Sequence, residues 1–300
     1  MTNSAALLPA LALTFNALVW GTSWWPFRQL QSQGLHPLWA TVIVYAIAVA
    51  VIALLRPRAF AQLLRTPALW VLMLASGTTN AAFNWGVVIG DVVRVVLLFY
   101  LMPLWAVLLA RFLLDEPLTR AAGWRVAMAL AGAAIVLWPD GASGWDALPL
   151  PRALPDWLGV VGGFSFALNN VMLRREAHRP DEGRALAMFV GGVAVAGVLA
   201  AALAASGRVA WPPLPAPAWA GLAALLAALF LASNMALQFG AARLPANVTA
   251  VVMLGEVVFA SLSAVALGAG RLTASLWLGG GLIVAAAVLA AAGPRTAPAH

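Results

Sequence analysis

Residues 80–86 read NAAFNWG, and residues 234–240 read NMALQFG. A shift of 154 residues without a gap superimposes these stretches, and the same register places Leu118-Thr119 on Leu272-Thr273. Alanine-rich helices produce chance matches, so the polar pairs, Asn80 with Asn234 and Asn84 with Gln238, carry most of the signal. The sequence therefore predicts an internal repeat.

Both stretches lie in long apolar runs. The chain is 63% hydrophobic and 9% charged, whereas soluble domains average about 45–50% apolar and about 25% charged residues. Runs long enough to cross a bilayer as helices fall at residues 7–27, 37–55, 67–86, 92–113, 123–138, 156–173, 185–205, 216–239, 247–268 and 274–292. The sequence predicts an all-α integral membrane fold of ten transmembrane helices.

The ten predicted spans divide into two halves. Residues 1–138 form a first five-helix repeat, the Pro/Gly-rich residues 139–155 an extracytoplasmic linker, residues 156–293 a second repeat, and residues 294–300 a disordered tail. Because five is odd, the second half must enter the membrane from the opposite side. Inverted repeats of this kind build alternating-access transporters, with the substrate site near the bilayer midplane.

Charge distribution predicts the orientation. The chain has no lysine and 17 arginines, which give a net charge of +7. If the N-terminus is cytoplasmic, five arginines (Arg28, Arg94, Arg152, Arg208 and Arg271) lie on the far side and the other 12 on the cytoplasmic side. The positive-inside rule then predicts a multi-pass inner (plasma) membrane protein with both termini cytoplasmic. The basic charge is explained by topology, so no nucleic-acid partner is expected.

Several short motifs resemble the EamA-type members of the drug/metabolite transporter superfamily. They are Trp20-Gly21-Thr22-Ser23 in the first span, Met102-Pro103 in the fourth, and Asp115-Glu116-Pro117-Leu118-Thr119 after it. Gly255-Glu256 stands where the family usually has Glu-Pro, so Val257 replaces the expected proline, and residues 268–271 also depart from the family pattern. Within the family, the tryptophan-rich first span is similar to an exporter of aromatic and other amino acids. The resemblance implies amino acid export.

Polar residues inside the predicted spans are the candidate substrate-binding groups. Asn80 and Asn84 are four residues apart and share one helix face, as do Asn234 and Gln238. Buried amides offer donors and acceptors to a substrate that carries an ammonium and a carboxylate. Alternatively, they join neighbouring helices through hydrogen bonds. Asn170, beside Asn169 in the sixth span, is a further candidate.

Glu256 is the acidic residue predicted to lie well inside a span. An intramembrane carboxylate costs about 2.5–3.5 kcal/mol when charged, so it often carries protons or pairs with a cation. Glu256 is therefore a candidate for proton coupling or for binding a substrate amine. A structural carboxyl group that caps broken backbone is an equal alternative.

Aromatic residues could line a cavity. Trp20 is the strongest candidate because Gly21-Thr22-Ser23 makes its surroundings small and polar, whereas packing in the core or at the lipid interface is the default for Tyr100 and Phe166.

A membrane-embedded enzyme and a channel are the rival functions. The three histidines fall in predicted loops or the tail, and an HExxH motif and cysteine ligands are absent from the sequence. We therefore expect a small-molecule substrate, a surrounding lipid bilayer, and neither metal nor cofactor. The oligomeric state stays open.

Overall fold

The computed structural model describes residues 4–90, 92–136, 138, 151–213, 217–267 and 273–292. Most of the predicted linker and all of the predicted tail lie outside these ranges. The regular secondary structure of the described residues is entirely helical, in agreement with the predicted all-α class.

The first half contains α1 to α8. Their bounds are α1 Ser4–Thr22, α2 Trp24–Ser32, α3 Pro37–Leu55, α4 Arg58–Arg65, α5 Pro67–Ile89, α6 Val92–Phe99, α7 Met102–Leu113 and α8 Arg120–Val136. The short helix α4 was not predicted from the sequence. It is polar on one side and bends by 98° from α5 across Thr66.

The second half contains α9 to α14. Their bounds are α9 Leu154–Arg175, α10 Asp181–Ala205, α11 Pro217–Arg243, α12 Ala246–Met253, α13 Gly255–Ala266 and α14 Ala274–Ala292. The 154-residue register carries the bounds of α6 onto those of α12, the last residue of α5 onto that of α11, and the first residue of α8 onto that of α14. The repeat found in the sequence therefore has matching helix boundaries.

Several helices have the length and composition of membrane spans. Within the described ranges these are Leu7–Ser32, Pro37–Leu55, Asp181–Ala205, Trp219–Arg243 and Ala246–Ala266, with the bent pair Arg58–Arg65 and Pro67–Gly86 as a sixth candidate. Met102–Leu113 and Ala274–Leu289 are shorter apolar helices. The count of ten stays a prediction, as does the inverted orientation of the halves.

Two predicted spans are broken at equivalent places. The fourth divides into α6 and α7 at Tyr100-Leu101, and the ninth divides into α12 and α13 at Leu254. Pro103 explains the first break, since proline lacks an N–H and its ring clashes with the carbonyl four residues earlier. Val257 occupies the equivalent position in α13, and its N–H donates to the Leu254 carbonyl at 3.1 Å. The second break therefore forms without a proline.

Helices of the first half pack directly against helices of the second half. Helix α5 contacts α9 and α10, α1 contacts α11 and α13, and α8 contacts α14. Glycines allow these approaches. A Cβ atom added to Gly77 would lie 2.3 Å from the Gly191 carbonyl oxygen, and one added to Gly132 would lie 2.5 Å from the Gly279 carbonyl oxygen. Small residues at helix contacts are the usual way in which membrane helices pack closely.

Candidate functional site

A cavity of about 70 Å³ lies among α1, α3, α5, α6 and the helices of the second half from α9 to α13. It is large enough for several water molecules, since one water needs about 10–15 Å³. Five of the predicted site residues line it, namely Trp20, Asn80, Phe166, Asn234 and Glu256. The cavity therefore receives polar and aromatic side chains from both halves of the chain.

Helix α13 begins beside α1, and this contact positions Glu256. A Cβ atom at Gly21 would lie 2.6 Å from the Glu256 carbonyl oxygen, so the glycine next to Trp20 lets the two helices touch. The Glu256 side chain is half-buried and faces the cavity from the first turn of α13. No described residue donates a hydrogen bond to its carboxylate.

Asn84 does not line the cavity. This half-buried residue donates through Nδ2 to Thr41 Oγ1 at 2.7 Å.

Gln238 is also outside the cavity and is fully buried. In one amide orientation its Nε2 donates to Asn234 Oδ1 at 2.8 Å. In the other, Nε2 donates to the Asp181 carbonyl and Oε1 accepts from the Ala185 N–H, each at 3.2 Å. Both orientations keep Gln238 at the start of α10.

Tyr100 and Asn170 do not line the cavity either, but each contacts a residue that does. Tyr100 is buried and packs edge-on against Phe99, a lining residue, with the ring centroids 5.8 Å apart. Asn170 is buried, and its Oδ1 accepts from Asn169 Nδ2 at 3.4 Å. The neighbour Asn169 lines the cavity.

Aromatic rings form two groups around the cavity. In the first, Trp20 stacks on Phe230 with centroids 4.5 Å apart and planes 18° apart, and Tyr45 meets Phe230 and Phe189 edge-on at 6.2 and 5.0 Å. In the second, Phe99 contacts Phe83 at 4.9 Å and Phe166 at 5.8 Å. All seven rings line the cavity, which can therefore accommodate a flat or apolar group.

Asn80 makes two hydrogen bonds within the cavity lining. The Tyr45 hydroxyl donates to Asn80 Oδ1 at 3.0 Å, and Asn80 Nδ2 donates to the Ser76 carbonyl at 2.9 Å. Across the cavity lining, Asn234 Nδ2 donates to Met188 Sδ at 3.2 Å. These contacts fix the two repeat-related asparagines.

Asn16 was missed by the sequence interpretation. It is almost fully buried in α1, and its Nδ2 donates to the carbonyl and hydroxyl oxygens of Ser233 at 2.9 and 2.6 Å. A single asparagine within an apolar span is the signal that could have identified it. Tyr45 carries the same signal within α3.

Polar contacts connect the end of α9 with the start of α10. The fully buried guanidinium of Arg184 donates to the Asp181 carboxylate and, at 3.2 Å, to the Leu173 carbonyl. These bonds join the end of α9 to the start of α10. In the predicted topology this end of the molecule is cytoplasmic.

Glu116 lies at the same end, in the loop after α7. Its carboxylate accepts from the Ala246 N–H at 3.4 Å, at the start of α12, and Arg174 donates to the Ala242 carbonyl. Burial raises the pKa of Glu116, against the opposing effects of the Ala246 N–H and the Arg174 charge. These contacts connect both halves at one end of the molecule.

The two histidines in the described ranges, His36 and His178, lie away from the cavity. His36 Nδ1 accepts from the Leu38 N–H at 3.3 Å at the start of α3, and His178 is exposed in the turn before α10. Groups of three or more potential metal ligands are absent from the described ranges. The Arg94 side chain lies outside the described part of the chain.

The long apolar helices of both halves indicate a multi-pass helical membrane protein. Residues 7–138 match the model of the EamA-like transporter family, so the first half of the chain contains an EamA-like domain. This match agrees with the family resemblance in the sequence motifs. It points to a membrane transporter of small molecules rather than to an enzyme.

Comparison with whole proteins gives information on the fold. No curated protein sequence matches the chain. A solved structure described as "Crystal structure of protein" aligns with a TM-score of 0.74 and 20% sequence identity, over 97% of each chain. At this identity the similarity shows that the two chains share a fold, along almost their whole length.

Proposed function

We propose that this protein is a secondary transporter that exports amino acids or similar small metabolites by alternating access through the central cavity. The observation that carries the proposal is a cavity between the two halves whose lining combines amides, aromatic rings and one carboxylate. Sites of this kind bind small molecules, with polar groups fixing their orientation. The similarity of the tryptophan-rich first span to YddG, an exporter of aromatic and other amino acids, supports amino acids as substrates.

Inverted repeats would provide the conformational change. Matching bounds in α6 and α12 support two related halves, and the odd number of predicted spans per half supports their opposite orientation. We place the protein in the inner membrane with both termini cytoplasmic. Because the chain lacks cysteine, His178→Cys and Ser206→Cys would each create a unique labelling site in an exposed turn. They should react from opposite sides, and labelling from one side would contradict this topology.

Flux of labelled aromatic amino acids and related amines into proteoliposomes tests the transport function. Asn234→Ala removes a polar lining group of α11, whereas Leu225→Ala changes a lipid-exposed position of the same helix. We expect saturable uptake and counterflow that Asn234→Ala impairs and Leu225→Ala preserves. Flux equal to protein-free liposomes for every compound would refute transport of this substrate class. Non-saturating flux without counterflow would indicate a channel.

Proton coupling is assigned to Glu256 within this proposal. A carboxyl group that carries protons must alternate between charged and neutral forms as the cavity opens to each side. Glu256→Gln keeps the approximate shape and hydrogen bonding of the protonated form but cannot titrate. Accumulation driven by a pH gradient should therefore stop while counterflow continues. Uphill transport by the variant would remove Glu256 from coupling and favour its structural role.

A further inference from the structure

We propose that the cavity selects an organic monocation, an ammonium group attached to an aromatic or apolar body without a free carboxylate. This inference rests on the proposed transport function and narrows its substrate class. It follows from which hydrogen-bonding groups of the lining are already paired, which are free, and which charge is present.

Each amide nitrogen and hydroxyl group of the lining already has at least one acceptor within the protein. The hydrogen bonds are Asn16 Nδ2 to Ser233, Tyr45 Oη to Asn80, Ser76 Oγ to the Met188 carbonyl, Thr79 Oγ1 to the Ala75 carbonyl, Asn80 Nδ2 to the Ser76 carbonyl, Asn169 Nδ2 to Asn170 and Asn234 Nδ2 to Met188. The indole N–H of Trp20 and one amide N–H each of Asn80, Asn169 and Asn234 are left over among the described lining donors, and all four are neutral. A bound carboxylate would therefore find neutral donors but no charged one.

Acceptors, in contrast, are free. The Oδ1 atoms of Asn16 and Asn169 are buried and accept no hydrogen bond from the described residues, and both residues line the cavity. The Ser233 carbonyl and hydroxyl fix the Asn16 amide orientation, because both accept from its Nδ2. An unsatisfied buried acceptor costs about 1–3 kcal/mol, so an occupant whose N–H groups reach these oxygens after a small movement of the side chains would recover this cost.

The charge of the lining also favours a cationic ligand. Glu256 is an acid, and the described lining residues include no arginine, lysine or histidine. A carboxylate in a cavity of low dielectric needs a cation or a proton to be stable. An ammonium group meets this need, whereas a substrate carboxylate would be repelled by Glu256 and would have no positive partner in the described lining.

The aromatic rings favour the same ligand. Phe230 stacks on Trp20 and meets Tyr45 edge-on in the cavity lining, and ring faces attract cations by about 0.5–2 kcal/mol. Phe83, Phe99 and Phe166 supply apolar surface for the body of the ligand. Water would satisfy the free acceptors as well, but it would neither neutralise Glu256 nor use the aromatic surface.

Four compounds with one phenyl ring separate the possibilities. Phenethylamine is a cation, phenylalanine methyl ester is a cation with a blocked carboxyl group, phenylalanine is a zwitterion, and phenylpropionate is an anion. Binding to the purified full-length protein is measured by calorimetry, and flux is measured in proteoliposomes. We expect the two cations to bind about tenfold or more tightly than phenylalanine, since one charged hydrogen bond has about this effect. Phenylpropionate should not bind.

Variants connect this preference to the site. Glu256→Gln should weaken binding of phenethylamine by about tenfold or more, and Glu182→Gln is the matched control in the first turn of α10, away from the cavity. A melting temperature within a few degrees of the wild-type value confirms that each variant is folded.

The outcomes separate this inference from the transport function. Phenylalanine flux without binding or flux of the two cations would overturn the inference and leave the transport function intact. Cation binding without flux would retain the inference and refute transport. If none of the four compounds binds, the free acceptors serve only water and the inference is wrong.

Discussion

Asn80 and Asn84 in α5 occupy the same register as Asn234 and Gln238 in α11, yet the two pairs make different contacts. The first pair bonds to α3 through the Tyr45 and Thr41 hydroxyl groups. The second pair meets α10 through Met188 Sδ in one orientation of the amides and through the backbone at the start of α10 in the other. In both halves the third predicted span contacts the second predicted span of that half. The repeat therefore preserves which helices meet, while the hydrogen-bonding atoms have diverged.

Burial differs most between Asn84 and Gln238. Gln238→Ala would empty a fully buried site and leave the backbone groups at the start of α10 with fewer partners. We expect a loss of about 2–3 kcal/mol in unfolding free energy, measured by SDS titration in mixed micelles. Asn84→Ala removes one bond from a half-buried residue and should cost about 0.6 kcal/mol.

Gln238→Met separates the lost volume from the lost hydrogen bonds, because methionine has a similar length and no amide. Its cost should lie between those of the two alanine variants. Equal costs for Gln238→Ala and Asn84→Ala would show that the two positions are equivalent in energy as well as in register.

Periodicity and polar pairs in the sequence predicted much of the fold and part of the cavity lining. The match between NAAFNWG and NMALQFG indicated the repeat, and α6 and α12 have corresponding bounds. A buried amide in an apolar run is costly in lipid, which is why Asn80 and Asn234 could be found. Both line the cavity. The span at 274–292 was placed with the bounds of α14.

Other site residues depend on tertiary contacts. Asn84 and Asn80 share a helix face, but Thr41 on the neighbouring α3 takes the Asn84 side chain as its partner. Phe189 and Phe230 resemble any aromatic residue of an apolar span until α10 and α11 bring them to Tyr45. The eight-residue helix α4 is too short for periodicity to separate it from a loop.

The two helix breaks provide the second comparison. Pro103 and Val257 are equivalent in the register, and Val257 N–H makes one bond to the Leu254 carbonyl in the first turn of α13. Val257→Pro should remove this bond and otherwise fit, at a cost of about 1 kcal/mol. The measurement is the same SDS titration. Leu262→Pro, at an exposed position deep in α13, is the control and should cost about 3 kcal/mol. A similar loss for both would show that the second break does not tolerate a proline.

The smallest expected difference concerns the partners of Asn80 and Asn234, the two repeat-related asparagines of the lining. Tyr45→Phe deletes the hydroxyl that donates to Asn80 Oδ1 and keeps the ring that packs against Phe189 and Phe230. We expect a loss of about 0.6 kcal/mol in unfolding free energy, the average for a hydrogen bond between membrane helices. Met188→Leu preserves most of the volume and removes only a weak sulfur acceptor, so its cost should be about 0.3 kcal/mol or less. Tyr45→Phe also frees a further acceptor in the cavity, and phenethylamine binding should therefore be retained or strengthened. A larger loss of stability for Met188→Leu, together with weaker amine binding by Tyr45→Phe, would contradict the assignment of these hydrogen bonds and the excess of acceptors in the cavity.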